Sequence, residues 1–266
     1  MKIGFIGTGN MGGAIINGYL ASNAGASSQI TAYDKDGDKL AALVRKTGIR
    51  LAHDIQSLVF SSEIIIFAVK PQNYDEVLTE VASAIKPGQI VVSMAAGISM
   101  NYIESYLGKS CKVIRIMPNT PALVNEGMTA ICHNNNVNIS EFEKTMEIFW
   151  TVGKTASVDE SLLDTVVGVS GSSPAYVFMF IEALIKGAVK NGMNEDDARV
   201  FAAQSVLGAA KMVLETEEDP VVLCRNVCSP GGATIEAVEV FQNLGLENII
   251  KQGMQAAIDK SRKMLK

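Results

Sequence analysis

The sequence predicts an α/β domain built on a parallel sheet, followed by an all-α domain. Short apolar runs alternate with amphipathic stretches up to about Glu160, and beyond Asp159 the strand signal gives way to helical spacings alone. The turn Gly7-Thr8-Gly9-Asn10-Met11-Gly12 opens directly off the first apolar run and leads into a helix, the arrangement of a Rossmann-type dinucleotide-binding domain.

Residues 3–6, 30–33, 64–69, 90–94 and 113–117 read as strands because each is a short, nearly continuous apolar run. Amphipathic stretches at 39–46, 74–85 and 102–107 lie between them as helices on both faces of the sheet. Strands at 128–132 and 155–158, flanking a helix over 140–152, complete a domain of residues 1–160. In residues 161–266, Ser173 reads as N-cap and Pro174 as first helical residue of a helix that Asn191-Gly192 stops. Asn194 caps the next, which continues to Leu214, and helices over 220–227, 234–243 and 246–265 (ending at Leu265) finish the domain. Apolar residues fall on more faces of these helices than one small bundle core buries, which predicts a dimer.

The chain has 266 residues, 48% hydrophobic and 19% charged, enough for two ordinary domain cores. A net charge of −5 and the lack of any basic run longer than two residues argue against a nucleic-acid partner and for small molecules. Cys111, Cys132, Cys224 and Cys228 form no CxxC pair and only His53 and His133 supply imidazole, so no metal site is expected. Cys224 and Cys228 share a helical face, where core packing is the expected role. Met1 enters a strand at once, leaving no room for a signal peptide, and the apolar helix over 175–189 carries Glu182 and Lys186, against a membrane span; a cytoplasmic protein is expected.

In the glycine turn, Gly7, Gly9 and Gly12 permit the tight bend, the approach of backbone to a pyrophosphate and close helix–strand packing, while Thr8, Asn10 and Met11 bring N–H groups to the helix start. Asp34, 22 residues after Gly12, stands where a carboxylate accepts hydrogen bonds from the adenosine ribose; Lys35 beside it suits a 2′-phosphate instead. Ala68-Val69-Lys70-Pro71, Ala95-Ala96-Gly97 and Pro118-Asn119 follow the carboxyl ends of strands, where a parallel sheet binds its ligands. A strand-end lysine and a rigid proline turn are the ordinary alternatives for Lys70 and for Met117–Pro121.

Ser170-Gly171-Ser172-Ser173-Pro174-Ala175-Tyr176 opens the first helix of the second domain, and its N–H groups can border an anion or simply be capped by Ser173. Ser229-Pro230-Gly231-Gly232-Ala233-Thr234 is more pointed, because bare N–H groups and hydroxyls precede a helix whose N-terminus attracts a carboxylate. An N-cap role for Thr234 is the competing reading.

Across essentially its whole length the chain resembles pyrroline-5-carboxylate reductases, through Phe5–Gly12, Ala68–Pro71, Met117–Pro121, Val167–Tyr176 and Ser229–Ile235. The resemblance implies reduction of 1-pyrroline-5-carboxylate to L-proline, the last step of proline synthesis, with NADPH or NADH. It implies an all-α dimerisation and substrate-binding domain, homodimers, and pentamers of dimers. It also implies that Ser229, Gly231, Gly232, Ala233 and Thr234 hold the substrate carboxylate, with the Thr234 hydroxyl hydrogen-bonding the ring nitrogen. Hydroxyacid dehydrogenases share the domain order but place a lysine general acid early in the interdomain helix, and residues 174–185 contain none. A cofactor-sensing regulator would need the glycine turn but not the loop at 229–234.

Overall fold

The computed structural model describes residues 1–264. Eight strands form one sheet: β1 (Ile3–Ile6), β2 (Ile30–Tyr33), β3 (Arg50–Leu51), β4 (Ile64–Phe67), β5 (Ile90–Ser93), β6 (Lys112–Met117), β7 (Gly127–His133) and β8 (Gly153–Ser157). Their order is β3-β2-β1-β4-β5-β6-β7-β8. The chain therefore reverses direction across the sheet between β1 and β4, the place where such folds open a ligand crevice. Helices α1 (Asn10–Ser22), α2 (Gly37–Thr47), α3 (Ile55–Ser61), α4 (Tyr74–Ala82), α5 (Met100–Leu107) and α6 (Ile139–Trp150) cover it.

Side-chain alternation along the strands divides the interior in two. Ile3, Phe5, Ile64, Ile66, Ile90, Val92, Ile114 and Ile116 pack on one face with α1 and α6 residues such as Ile15 and Phe149. Ile65, Phe67, Val91 and Val113 pack on the other with Leu58 of α3 and Leu78 of α4. Both faces are buried, which is why these strands read as continuous apolar runs.

The sheet departs from the expected parallel form at one place, since β6 and β7 pair antiparallel, Ile116 opposite Ile131. The connection holds only a single short 3-10 helix, Thr120–Val124, too little chain for a parallel crossover. The weak two-residue β3 and the seven-residue α3 were not foreseen. α3 is legible after the fact, because the Asp54 side chain accepts from Ser57 N at 2.6 Å and caps it.

The chain forms two compact units, Ser173–Gln255 and the remainder, the latter including residues from Ala256 onward. The division falls at Ser172 rather than near Glu160. The intervening α7 (Leu163–Val166) belongs to the sheet unit through Leu163, which is buried in its core, and the Ser261 hydroxyl donates to Asp164 at 2.6 Å.

In the helical unit lie α8 (Ser173–Lys190), α9 (Glu195–Thr216), α10 (Pro220–Val227), α11 (Ala233–Asn243) and α12, Leu246–Arg262, whose last turns belong to the sheet unit. The expected end at Leu265 lies outside the described residues. Asn194 caps α9 by accepting from Asp196 N, as expected. Ser173 does not start a helix from coil: a π-helical turn over Val167–Gly171 precedes it, and Ser172 N donates to Val167 O at 2.8 Å, so that N–H is not open to an anion. Cys224 is exposed and Cys228 only half-buried, so the pair does not pack into a core of the protomer as expected.

Candidate active site

Each glycine of the first turn has a distinct steric reason. Gly7 has φ +96°, and a Cβ there would lie 2.6 Å from the Ala68 carbonyl oxygen. A Cβ on Gly12 would meet Gly7 O at 2.6 Å, so its absence lets α1 sit against the strands. Gly9, the N-cap of α1, is different: the one atom within 4 Å of its Cβ position is Lys39 Nζ, at 4.0 Å. The space above Gly9 is an open cradle at a helix N-terminus with no side-chain cap, which fits a pyrophosphate.

Asp34 ties β2 to this turn. Its Oδ2 accepts from Thr8 N at 2.6 Å and Thr8 Oγ1 at 2.8 Å, and its Oδ1 accepts from Asp36 N at 3.0 Å. Partial burial alone would raise the Asp34 pKa; the hydrogen bonds from Thr8 and Asp36, helped by the nearby Lys39 ammonium, outweigh it and hold the pKa below the usual carboxylate value. Lys35 reaches away to Glu76, with Nζ 2.6 Å from Oε2.

A cavity of about 340 Å³ brings together Gly7, Gly9, Asp34, Lys35, Ala68, Val69 and Lys70. Thr8 and Asn10 line a neighbouring hollow of about 390 Å³ with Gly9 and Lys39. Met11 and Gly12 belong to the start of α1, and Pro71 opens a short 3-10 helix after β4. Ala95, Ala96, Gly97, Pro118 and Asn119 border neither hollow. Gly97 is instead shaped by the chain's end, since at φ +77° its Cβ position lies 2.5 Å from Met264 O. Lys39, read from sequence only as part of a helix, lines both hollows. The available signal was Asp36, whose side chain accepts from Lys39 N at 3.0 Å and fixes Lys39 in the first turn of α2.

At the carboxyl end of β6 the side chain of Asn119 is consumed by the protein itself. Nδ2 donates to the backbone oxygen and hydroxyl of Ser170, and Oδ1 accepts from Met128 N. Close by in the fold, Arg115 of β6, almost wholly buried, donates to Glu160 Oε1 at 2.6 Å, and the same oxygen accepts from Met100 N at 2.7 Å. Neither link was visible in the sequence, because both join residues far apart in the chain.

In the helical unit, Ser229–Gly232 closes a tight loop in which Gly232 N donates to Ser229 O at 3.0 Å and Gly231 takes φ +70°. Gly232, not Thr234, is the N-cap of α11, without a side-chain cap, and Ala233 and Thr234 are the first two helical residues. A Cβ on Gly232 would lie 2.5 Å from Ser229 Oγ, so a larger residue would displace that hydroxyl. The loop presents N–H groups and two hydroxyls, and no carboxylate or imidazole. Tyr176, from the Ser173-Pro174-Ala175-Tyr176 segment, holds a hydroxyl shielded from solvent with no hydrogen-bond partner among the described residues.

A glycine turn at the sheet's crossover point, together with a helical unit bearing an N–H-rich loop, defines a dinucleotide-dependent oxidoreductase of two-domain construction. The pyrroline-5-carboxylate reductase dimerisation family matches residues 160–264, and the family described as NADP oxidoreductase, coenzyme F420-dependent, matches residues 2–97. The chain is 46% identical to the pyrroline-5-carboxylate reductase of Escherichia coli K12, over 100% of its own length and 98% of the relative's. Among solved structures, the pyrroline-5-carboxylate reductase of Coxiella burnetii superposes with a TM-score of 0.93 at 32% identity, covering 100% and 98% of the two chains. The Plasmodium falciparum pyrroline carboxylate reductase, solved with NADP bound, superposes with a TM-score of 0.90 at 29% identity, covering 99% and 98%. The chain belongs to the pyrroline-5-carboxylate reductase family.

Proposed function

We propose that this protein reduces the C=N bond of 1-pyrroline-5-carboxylate to give L-proline, the last step of proline synthesis, using NADPH or NADH. The observation that carries the reading is the loop Ser229–Thr234, which leads into α11 through an N-cap without a side-chain cap, in a chain that also has an open dinucleotide cradle at Gly9. Gly7–Gly12 hold the pyrophosphate, Asp34 meets the adenosine ribose, and Ala68–Pro71 border the bound cofactor. The reduced nicotinamide supplies a hydride to the imine carbon.

The chain's own residues position and polarise the substrate. Backbone N–H groups of Gly231, Ala233 and Thr234, with the Ser229 hydroxyl, fix the carboxylate, and Gly232, whose own N–H is held by Ser229 O, shapes the loop that presents them. The Thr234 hydroxyl hydrogen-bonds the ring nitrogen, so the imine carbon is more electrophilic and electron density arriving on nitrogen is stabilised. A neutral donor suffices here, and the rate gain comes mainly from holding donor and acceptor carbons together. Loss of NAD(P)H absorbance on adding 1-pyrroline-5-carboxylate to the purified protein, with L-proline recovered as product, tests the reading; cofactor binding without turnover would favour a sensor.

The active species is a dimer formed by the helical unit, further assembled as a pentamer of dimers, in the cytoplasm. Supporting this, α8 and α9 expose Phe178, Met179, Val200 and Phe201 over more than half of their surface, and a hollow of about 850 Å³ lined by Phe241 and Leu246 opens in the same unit. The run Glu160–Lys190 is long and apolar enough, by length and composition, to cross a membrane. It is read as interface because it falls within the dimerisation family match and carries a Lys186–Glu182 ion pair at 3.0 Å. Sedimentation showing a stable, active monomer at micromolar concentration would refute the dimer.

A further inference from the structure

Behind the wall of the cofactor cavity one tyrosine is wholly buried, and its hydroxyl joins two strand ends. Tyr74 opens α4, between Asn73 and Val77, which line the cavity of about 340 Å³ beside the glycine turn. Its own side chain is fully enclosed, with the ring edge-on to Phe67 at 5.7 Å between centroids. The hydroxyl donates to Phe67 O at 3.3 Å and lies 3.0 Å from Ser93 Oγ, and the N–H groups of Met94 and Ala95 also hydrogen-bond it. Burial pushes the phenol pKa up to about 12, outweighing the opposite pull of Ser93, Met94 and Ala95, so the group keeps its proton and its donor role near neutrality.

Phe67 and Ser93 are the last residues of β4 and β5 and stand opposite each other in the ladder. The Tyr74 hydroxyl takes over where the ladder ends, between one strand's carbonyl and the other strand's N–H groups. What it fixes is the cavity wall. Ala68, the residue after Phe67, donates to Ile6 O at 2.8 Å, and its carbonyl oxygen sits 2.6 Å from the Cβ position of Gly7. Ala68, Val69 and Lys70 then line the cavity itself. A shift of Phe67 off the phenol would carry that wall towards or away from the glycine turn.

We propose that Tyr74 is a positioning residue for the dinucleotide, its buried hydroxyl holding the ends of β4 and β5 at the spacing the cofactor needs. The proposal rests on the dinucleotide reading of the glycine turn. Because the hydroxyl acts on the wall and not on the adenosine ribose or the loop at Ser229–Thr234, NADPH and NADH are affected alike and the imine substrate is not.

The test is fluorescence titration of NADPH and NADH onto the full chain and its Tyr74→Phe, Ser93→Ala and doubly substituted variants, with the melting temperature and the KM for 1-pyrroline-5-carboxylate measured on the same preparations. Tyr74→Phe keeps the ring and its contact with Phe67. It is expected to raise both cofactor dissociation constants about 3- to 10-fold, the size of one lost neutral hydrogen bond, with the KM for 1-pyrroline-5-carboxylate unchanged. Ser93→Ala should raise them about two- to threefold, and the double variant should be no worse than Tyr74→Phe alone, because both substitutions break the same link. A merely structural tyrosine predicts a lower melting temperature with wild-type cofactor affinity at temperatures where the variant is folded. That result overturns the proposal, as does a fully additive double variant. If Tyr74→Phe does not fold, wild-type cofactor affinity in Ser93→Ala overturns it instead. A wild-type protein that binds neither cofactor removes the dinucleotide reading itself, and one that binds both without turning over 1-pyrroline-5-carboxylate removes only the reductase reading.

Discussion

Asn119 donates from Nδ2 to both the backbone carbonyl and the hydroxyl of Ser170, each at 3.2 Å, and accepts from Met128 N at 2.8 Å. One amide thereby joins the end of β6, the second residue of β7 and the π-helical turn Val167–Gly171 that precedes α8. A π-helical turn is a poor local minimum that needs outside support, and Asn119 provides it.

Asn119→Ala should therefore destabilise the protein by about 1–3 kcal/mol, the range for removing a buried amide's hydrogen bonds to half-buried partners. It should also speed hydrogen exchange at Ser172, whose N–H bonds Val167 O across the turn. Urea unfolding and exchange mass spectrometry check this. A variant of normal stability with unchanged exchange in residues 167–172 would show that the turn stands without Asn119.

The tie between Asp34 and Thr8 has a pH signature. The folded-state pKa of Asp34 is lowered, so its contribution to stability is fully present above the unfolded value, about 3.9, and is lost as pH falls through the lower folded value. The stability difference between wild type and Asp34→Asn should be constant near neutrality and shrink below about pH 4. Chemical denaturation of the pair across that range measures it, and a gap that stays constant down to pH 2 would contradict the assignment.

Glu160 holds the nearly buried Arg115 guanidinium and the Met100 N–H with one oxygen. Glu160→Ala leaves that cation uncompensated and should cost roughly 3–5 kcal/mol, towards the lower end because Glu160 is itself partly exposed. Arg115→Met combined with Glu160→Met should recover most of the loss, since a buried pair replaced by apolar side chains is often near neutral. Thermal unfolding of the single and double variants decides it; a Glu160→Ala protein as stable as wild type would mean the pair is solvated.

These contacts mark the limit of what the sequence discloses. Strands buried on both faces announce themselves, so β1, β2, β4, β5 and β6 were legible to within a residue or two, as was the glycine turn that must lie beside them. α10 was legible as a helix over 220–227, and the structure adds its cap, the Asp219 side chain accepting from Val221 N. What stayed hidden depends on pairing across the chain. Asn119 and Gly97 read as cofactor contacts because they follow strands, and their ties to Ser170 and Met264, far off in the chain, are visible only in the fold. Lys35 reads as a cofactor contact because it follows Asp34, and only the fold shows its ion pair with Glu76 of α4.

Thr234 gives the sharpest test of the chemistry. Because α11 begins at Ala233 and Gly232 is its N-cap, the Thr234 side chain does not cap the helix, and its removal carries no capping loss. Thr234→Ala at an exposed helical position should leave stability unchanged or raise it by about 0.5 kcal/mol, through alanine's better helix propensity. If the hydroxyl donates to the imine nitrogen as hydride arrives, kcat should fall by on the order of 10- to 1,000-fold, the range for one lost transition-state hydrogen bond. NAD(P)H affinity should be unchanged, because the dinucleotide cradle is built at Gly7–Gly12. Thr234→Ser restores the hydroxyl and should recover most of kcat. Melting temperature, cofactor affinity and kcat measured on the same preparations separate the roles, and a Thr234→Ala enzyme with full turnover would remove Thr234 from the catalytic assignment.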